Sequence, residues 1–176
     1  MIINLCIFAG AKDASLFGKI YLTHKNLGDN MDIWEKLCAL AAKEYRPGDL
    51  SPFIWAHNVV CALETESGKI FTGFCMEGAS GVINLCAERT AAVNMIANCG
   101  ETTVKRLVVF RDVPPCRELD ARNFLPCGAC REFFLQLDIK NKDMQILTDL
   151  KTRAVITLGE LMPHWWGENR YLGGNT

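Results

Sequence analysis

The residues of this chain best equipped for chemistry are three cysteines. Cys127 and Cys130 stand three apart in Pro126-Cys127-Gly128-Ala129-Cys130, and Cys86 precedes them in Cys86-Ala87-Glu88-Arg89. Three thiolates are a ligand set for one Zn²⁺, and three protein ligands leave a tetrahedral ion one open position, as catalytic sites do. A water there has its pKa lowered toward neutrality and becomes a usable nucleophile. Glu88 lies two residues from a ligand, placed to carry protons without binding the metal. A structural zinc or a redox Cys-x-x-Cys is the duller alternative. The first wants a fourth Cys or His, and His24, His57 and His164 are scattered. The second leaves Cys-Ala-Glu unexplained.

These residues need elements to position them. Asn84 to Ala97 reads as a helix with Cys86 and Glu88 in its first turn, where N–H groups and the helix dipole favour a thiolate. Residues two apart do not share a helix face, so Cys86 and Glu88 reach one site only because the helix is just beginning. Cys127 to Leu137 reads as a second helix, with Cys130, Phe133, Phe134 and Leu137 along one stripe. Met31 to Tyr45 is a helix with Ile33, Leu37, Leu40 and Ala41 facing a core. Asp32 and Glu35 resemble a capping arrangement, and Pro47-Gly48 is the stop. Trp55–Glu64 and Lys69–Met76 read as a strand pair around the turn Glu66-Ser67-Gly68. Val104–Phe110, Met144–Leu147 and Arg153–Ile156 are further strands, and Thr157-x-x-Glu160 opens a last short helix. Strands alternating with helices predict an α/β layered fold.

A length of 176 residues suits one domain with a core, and 49% hydrophobic residues exclude a disordered chain. A net charge of −1 supplies no basic field for nucleic acid. Nine cysteines without a secretory signal predict reduced, cytoplasmic thiols, and no run is long enough for a membrane helix. Residues 2–9 read as a short apolar strand. Residues 1–30 are expected to be an N-terminal extension ahead of a catalytic domain over 31–176, or a start upstream of a natural Met31. A phosphate-binding turn at Gly10 is the less favoured reading.

Cys86-Ala87-Glu88-Arg89-Thr90-Ala91 and Pro126-Cys127-Gly128-Ala129-Cys130-Arg131 resemble, near residue for residue, the two signatures of the small homo-oligomeric cytidine deaminases. Zinc deaminases share the layout of ligand-x-Glu followed by Pro-Cys-x-x-Cys. Gly68-Lys69-Ile70-Phe71-Thr72-Gly73 and Glu160-Leu161-Met162-Pro163 also resemble that family and its blasticidin deaminase relatives. The resemblance covers roughly residues 52 to 165. It implies a three-layer fold, a five-stranded mixed sheet with helices on both faces and the two cysteine helices side by side. It also implies hydrolysis of cytosine-type bases, as free cytidine or deoxycytidine, in a homotetramer or homodimer with one Zn²⁺ per subunit. Blasticidin S is the alternative substrate, and a non-catalytic binding module of the same fold is the alternative class.

The same resemblance carries over residue roles. A guanidinium of Arg89 or Arg131 donating to thiolate sulfur would offset the negative charge of a three-thiolate centre, and in the similar all-cysteine deaminases the position of Arg89 does this. Either arginine is otherwise a surface ion-pair partner. Glu77 matches a sugar-binding Glu, with Cys75 where the family has an Asn and His57 at the aromatic pocket position. Cys75 lacks the amide's paired donor and acceptor. Ala87 joins them as a substrate-facing position. Phe124 stands for base stacking or for plain core packing. Trp165 and Trp166 stand for closure of a neighbouring subunit's site or for interface anchoring.

Overall fold

The computed structural model describes residues 31–116, 124–171 and 173. The expected strand at 2–9, the turn at Gly10 and the role of residues 1–30 lie outside the described residues. From Asp32 onward the described chain forms one unit. No helix among the described residues is long and apolar enough to cross a membrane.

Helix α1 is Ile33–Ala42. Its buried residues are Trp34, Leu37, Cys38, Ala39, Ala41 and Ala42, while Ile33 and Leu40 are only half-buried. The apolar face is thus turned from the expected one toward Trp34 and Cys38. The expected cap is also corrected. Asp32 makes no side-chain cap bond. Asp32 and Glu35 both pair instead with Arg153, at 2.8 and 2.6 Å. A guanidinium held by two carboxylates outcompetes a local backbone bond.

The strands are β1 (Gly48–Ser51), β2 (Ile54–Thr65), β3 (Ile70–Gly78), β4 (Val104–Phe110), β5 (Gln145–Asp149) and β6 (Ala154–Thr157). Among the described residues only β4 and β5 pair in parallel; the other pairs are antiparallel, so the sheet is mixed as expected. Among the described residues there are six strands rather than five. The added β1 pairs with residues 54–56 of β2, and β4 pairs with residues 60–65. Since β3 runs along both stretches of β2, β1 and β4 share the other edge. The sheet is therefore five strands across at its widest. No alternating pattern in Gly-Asp-Leu-Ser announces β1; its pairing with β2 makes it a strand.

Pleating divides the residues of β2, β3 and β4 between two faces. Cys61, Leu63, Gly73, Leu107 and Val109 share the face that carries helix α2 (Ala87–Cys99) and helix α3 (Gly128–Leu137). Ala87, Ala91, Ala92 and Met95 of α2 and Phe134 and Leu135 of α3 fill that core. The opposite face carries α1. There Arg106 bonds Glu64 at 2.6 Å and lies 5.7 Å from the Trp34 ring. Helices thus cover both faces. The predicted capping box at Thr157 and Glu160 forms fully and opens helix α4 (Leu158–Leu161), and α5 (Glu168–Tyr171) follows.

Candidate active site

Helix α2 sits directly on β3. A Cβ at Gly73 would lie 2.3 Å from the Ala91 nitrogen and 2.5 Å from the Ala87 oxygen and the Thr90 hydroxyl. Only a glycine lets helix and strand backbones approach so closely. Thr90 Oγ1 donates to the Phe74 carbonyl at 2.8 Å, and Asn94 Nδ2 to that of Thr72 at 3.2 Å. As the helix number rises the strand number falls, so α2 runs antiparallel to β3. Its N-terminus therefore lies over the end of β3 that holds Cys75 and Glu77.

Both cysteine helices begin later than expected, α2 three residues after Asn84 and α3 one residue after Cys127. Cys86 is the N-cap of α2 and Cys127 the N-cap of α3, each with extended backbone and neither spending its side chain on a cap bond. Two helix N-termini, each the positive end of a dipole, therefore meet at the sulfurs. Cys86 Sγ is 3.6 Å from Cys127 Sγ, which is 3.6 Å from Cys130 Sγ. All three lie within 4.8 Å of one another. A tetrahedral ion with zinc–sulfur bonds of about 2.3 Å spaces its sulfurs about 3.8 Å apart, so the cluster needs almost no movement to hold one.

The charges point the same way. The Cys86 thiol is drawn down to about 5, first by the hydrogen bond from Cys130 and then by Arg89 and Cys127, against its burial. Cys130 moves oppositely: donating to Cys86, buried and facing Glu88, it stays protonated far above the ordinary thiol range. Three thiolates this close require a cation among them, and soft sulfur donors at this spacing suit zinc.

Glu88 is buried at 4% exposure. Burial lifts its carboxyl to about 7, helped by the Cys86 charge and opposed by its own backbone N–H, Cys130 and Arg89. A carboxyl poised near neutrality both takes and gives protons. Arg89 Nη2 points to Cys86 Sγ at 3.7 Å and to the Asn84 carbonyl at 3.2 Å. Arg131 Nε holds the Pro126 carbonyl at 2.8 Å and braces the turn before Cys127.

The remaining candidates divide by face. Cys75 and Glu77 share the pleat face of Gly73 and so the side of α2. Glu77 is exposed, opposite Trp55 in the strand register. The Cys75 sulfur is buried and accepts the Val59 N–H at 3.1 Å. Ala87 is fully buried against β3. Phe124 is 3% exposed. His57 is not brought to this group. It stands at φ 63° in a bulge of β2, stacks on Phe74 with ring centroids 3.6 Å apart, and its Nδ1 meets the Glu44 carbonyl at 2.7 Å. Phe74 points to the α1 face, so the bulge carries His57 to the far side of the sheet. Trp165 and Trp166 both donate to Glu132, at 2.9 and 3.0 Å. They line a cleft of about 350 Å³ with Tyr171 that includes none of the sulfur ligands. Thr90 and Asn94 drew no functional reading from the sequence. Gly73, an isolated glycine within a strand, was the available signal for a close backbone approach.

The profile of the cytidine and deoxycytidylate deaminase zinc-binding region matches residues 35–145. The "Probable cytidine deaminase" of Dictyostelium discoideum is 43% identical over 76 residues, covering 43% of this chain and 47% of that protein. This chain thus spans about half the length of that relative. The blasticidin-S deaminase of Bacillus cereus is 30% identical over 110 residues, 61% of this chain and 75% of that one. Among solved structures, the cytidine deaminase of Burkholderia pseudomallei superposes with a TM-score of 0.54 at 28% identity, covering 77% of this chain and all of that one. Residues 35–145 contain both cysteine motifs, the helices that bear them and strands β1 to β4. The chain belongs to the cytidine and deoxycytidylate deaminase family, with zinc as its cofactor and Cys86, Cys127 and Cys130 as the group that could hold it.

Proposed function

We propose that this chain is a hydrolase that removes the exocyclic amine of a cytosine-type base as ammonia, acting on a free nucleoside such as cytidine or deoxycytidine. The observation that carries the reading is a buried carboxyl, Glu88, on the same helix turn as one of three clustered sulfurs. Bound there by Cys86, Cys127 and Cys130, zinc supplies Lewis acidity and a water acidic enough to attack at neutral pH. Glu88 takes a proton from the attacking water and places it on ring nitrogen N3. It then takes the proton of the new C4 hydroxyl and delivers it to the amine as the C4–N bond breaks and the C4 carbonyl forms, so one water is consumed and one ammonia leaves. Burial matters here, because a carboxyl held near neutrality does both tasks without a second residue. Arg89 offsets the negative charge of the sulfurs through Cys86, which keeps the centre electrophilic. The exposed Glu77 lies toward the helix N-terminus, where it would accept hydrogen bonds from the part of the substrate beyond the base.

One observation favours a second substrate. The Cys75 sulfur is engaged by Val59 and offers a sugar neither a strong donor nor a strong acceptor. A modified cytosine compound such as blasticidin S fits a site that lacks this contact, and a relative bearing that name matches the chain. Catalysis is assigned to residues 31–176, with 1–30 as an extension. Exposed Phe53, Val82 and Trp166, at 71%, 91% and 62%, support assembly of the chain with copies of itself. The net charge of −1 favours a small-molecule substrate over nucleic acid, and the free thiols among the described residues suit a reducing cytoplasm.

The test is ammonia release from cytidine, deoxycytidine, cytosine and blasticidin S by protein of known zinc content. Turnover of either nucleoside supports the main reading. Turnover of blasticidin S alone transfers the function to antibiotic inactivation, and silence on all four refutes both.

A further inference from the structure

We infer that Thr90, seconded by Asn94, is a positioning residue that sets how far along β3 the N-terminus of α2 sits, and so where Cys86 and Glu88 stand relative to α3. Two observations carry this. The first is the triple engagement of Thr90. Its N–H closes the first turn of α2 on the Cys86 carbonyl at 3.1 Å. Its hydroxyl lies 2.8 Å from the Phe74 carbonyl and 2.9 Å from that of Ala87. One residue thus ties the carbonyl of a sulfur ligand to the underlying strand. The second is the spacing of the rungs. Thr90 and Asn94 are four apart and reach Phe74 and Thr72, two apart on β3. Four helical residues rise about 6 Å and two strand residues about 6.8 Å, so the two ladders match.

The match makes the register specific. The close approach of Ala87 and Ala91 to Gly73 sets backbone against backbone, with no side chain of Gly73 to interlock and fix the register. The two directed hydrogen bonds fix it. A slide of 1 Å would move Cys86 and Glu88 together while leaving Cys127 and Cys130 on α3, and a misplacement of that size costs catalysis about 10²-fold. The inference rests on the proposal that Glu88 and the three cysteines form the reaction centre.

Thr90→Val keeps the branched shape and removes the hydroxyl. In the zinc-loaded full chain it should lower kcat by about 10- to 100-fold, leave KM within about twofold and speed zinc loss to a chelator. Thr90→Ser, which restores the hydroxyl alone, should recover most of both. Wild-type kcat and zinc retention in Thr90→Val overturn the inference. Equal losses in the Ser and Val variants overturn it as well, since they make the methyl the important group. If Thr90→Val does not fold, Asn94→Ala decides. Asn94 is exposed, and its loss should lower kcat about threefold and speed zinc release; wild-type values in both refute the rungs. Zinc release needs no substrate, so a chain that deaminates nothing in the panel still tests the inference separately.

Discussion

Replacing Gly73 by alanine should separate α2 from β3 and show how tightly the reaction centre depends on that contact. The added Cβ would fall 2.3 Å from the Ala91 nitrogen and 2.5 Å from the Ala87 oxygen, whereas ordinary contact begins at 3.4 Å. Both close atoms are backbone, so no side chain can swing aside. The helix must lift by about 1 Å, and overpacking of this kind costs about 1–3 kcal/mol. In a unit of this size that corresponds to a fall in melting temperature of about 3–9 °C. Because Ala87 lies within the first turn of α2, the lift reaches Cys86 and Glu88 but not Cys127 and Cys130. The sulfur spacing of 3.6 Å between Cys86 and Cys127 would widen, and kcat should fall about 10²-fold. Steady-state ammonia release, zinc content and thermal melting measured on one preparation decide it. A variant that melts early yet turns over at the wild-type rate would refute the link between this contact and catalysis. One that matches wild type in both would refute the packing argument itself.

Three further outcomes follow from particular side chains. Glu88→Gln keeps the shape of the buried side chain and removes its proton-carrying ability; zinc content should stay at one per chain while kcat drops at least about 10³-fold, and loss of zinc instead would make Glu88 a ligand. Arg89→Ala should fold and bind zinc but turn over about tenfold more slowly, because the Cys86 sulfur loses its cationic donor; unchanged kcat would show that the guanidinium has no such part. Asn141→Ala should destabilise by about 3 kcal/mol, near 9 °C in melting. It strips partners from the buried Val104 N–H and from the Thr102 and Phe134 carbonyls. A shift under 2 °C would show that water or a shifted backbone satisfies these groups.

The candidate site was legible in sequence because its parts are local. Cys127 and Cys130 are three apart, so any helix beginning between them brings their sulfurs to one end. Glu88 follows Cys86 closely enough that one N-terminal turn holds both. Helices and strands with strong apolar spacing, and the capping box at Thr157 and Glu160, were also readable, since each depends on residues within a few positions. Asp32 and Glu35 show the limit of such readings: their spacing suits a cap, but Arg153, more than a hundred residues away, takes both carboxylates.

What tertiary structure decided is everything that depends on two distant backbones meeting. Cys86 joins Cys127 and Cys130 only because α2 and α3 lie side by side on one face of the sheet. That α2 lies low enough is due to the absent side chain of Gly73, whose importance appears only when Ala87 and Ala91 are placed against it. Cys75 and His57 divide between the two faces for a similar reason. Cys75 follows the regular alternation of β3, whereas the bulge in β2 breaks the two-residue period and turns His57 toward Phe74 and Glu44. Sequence alone determined which residues could hold zinc and carry protons, because side-chain chemistry and short spacing are local properties. Their distances, their burial and the face each occupies came from pairing and packing across the chain, which short-range pattern does not encode.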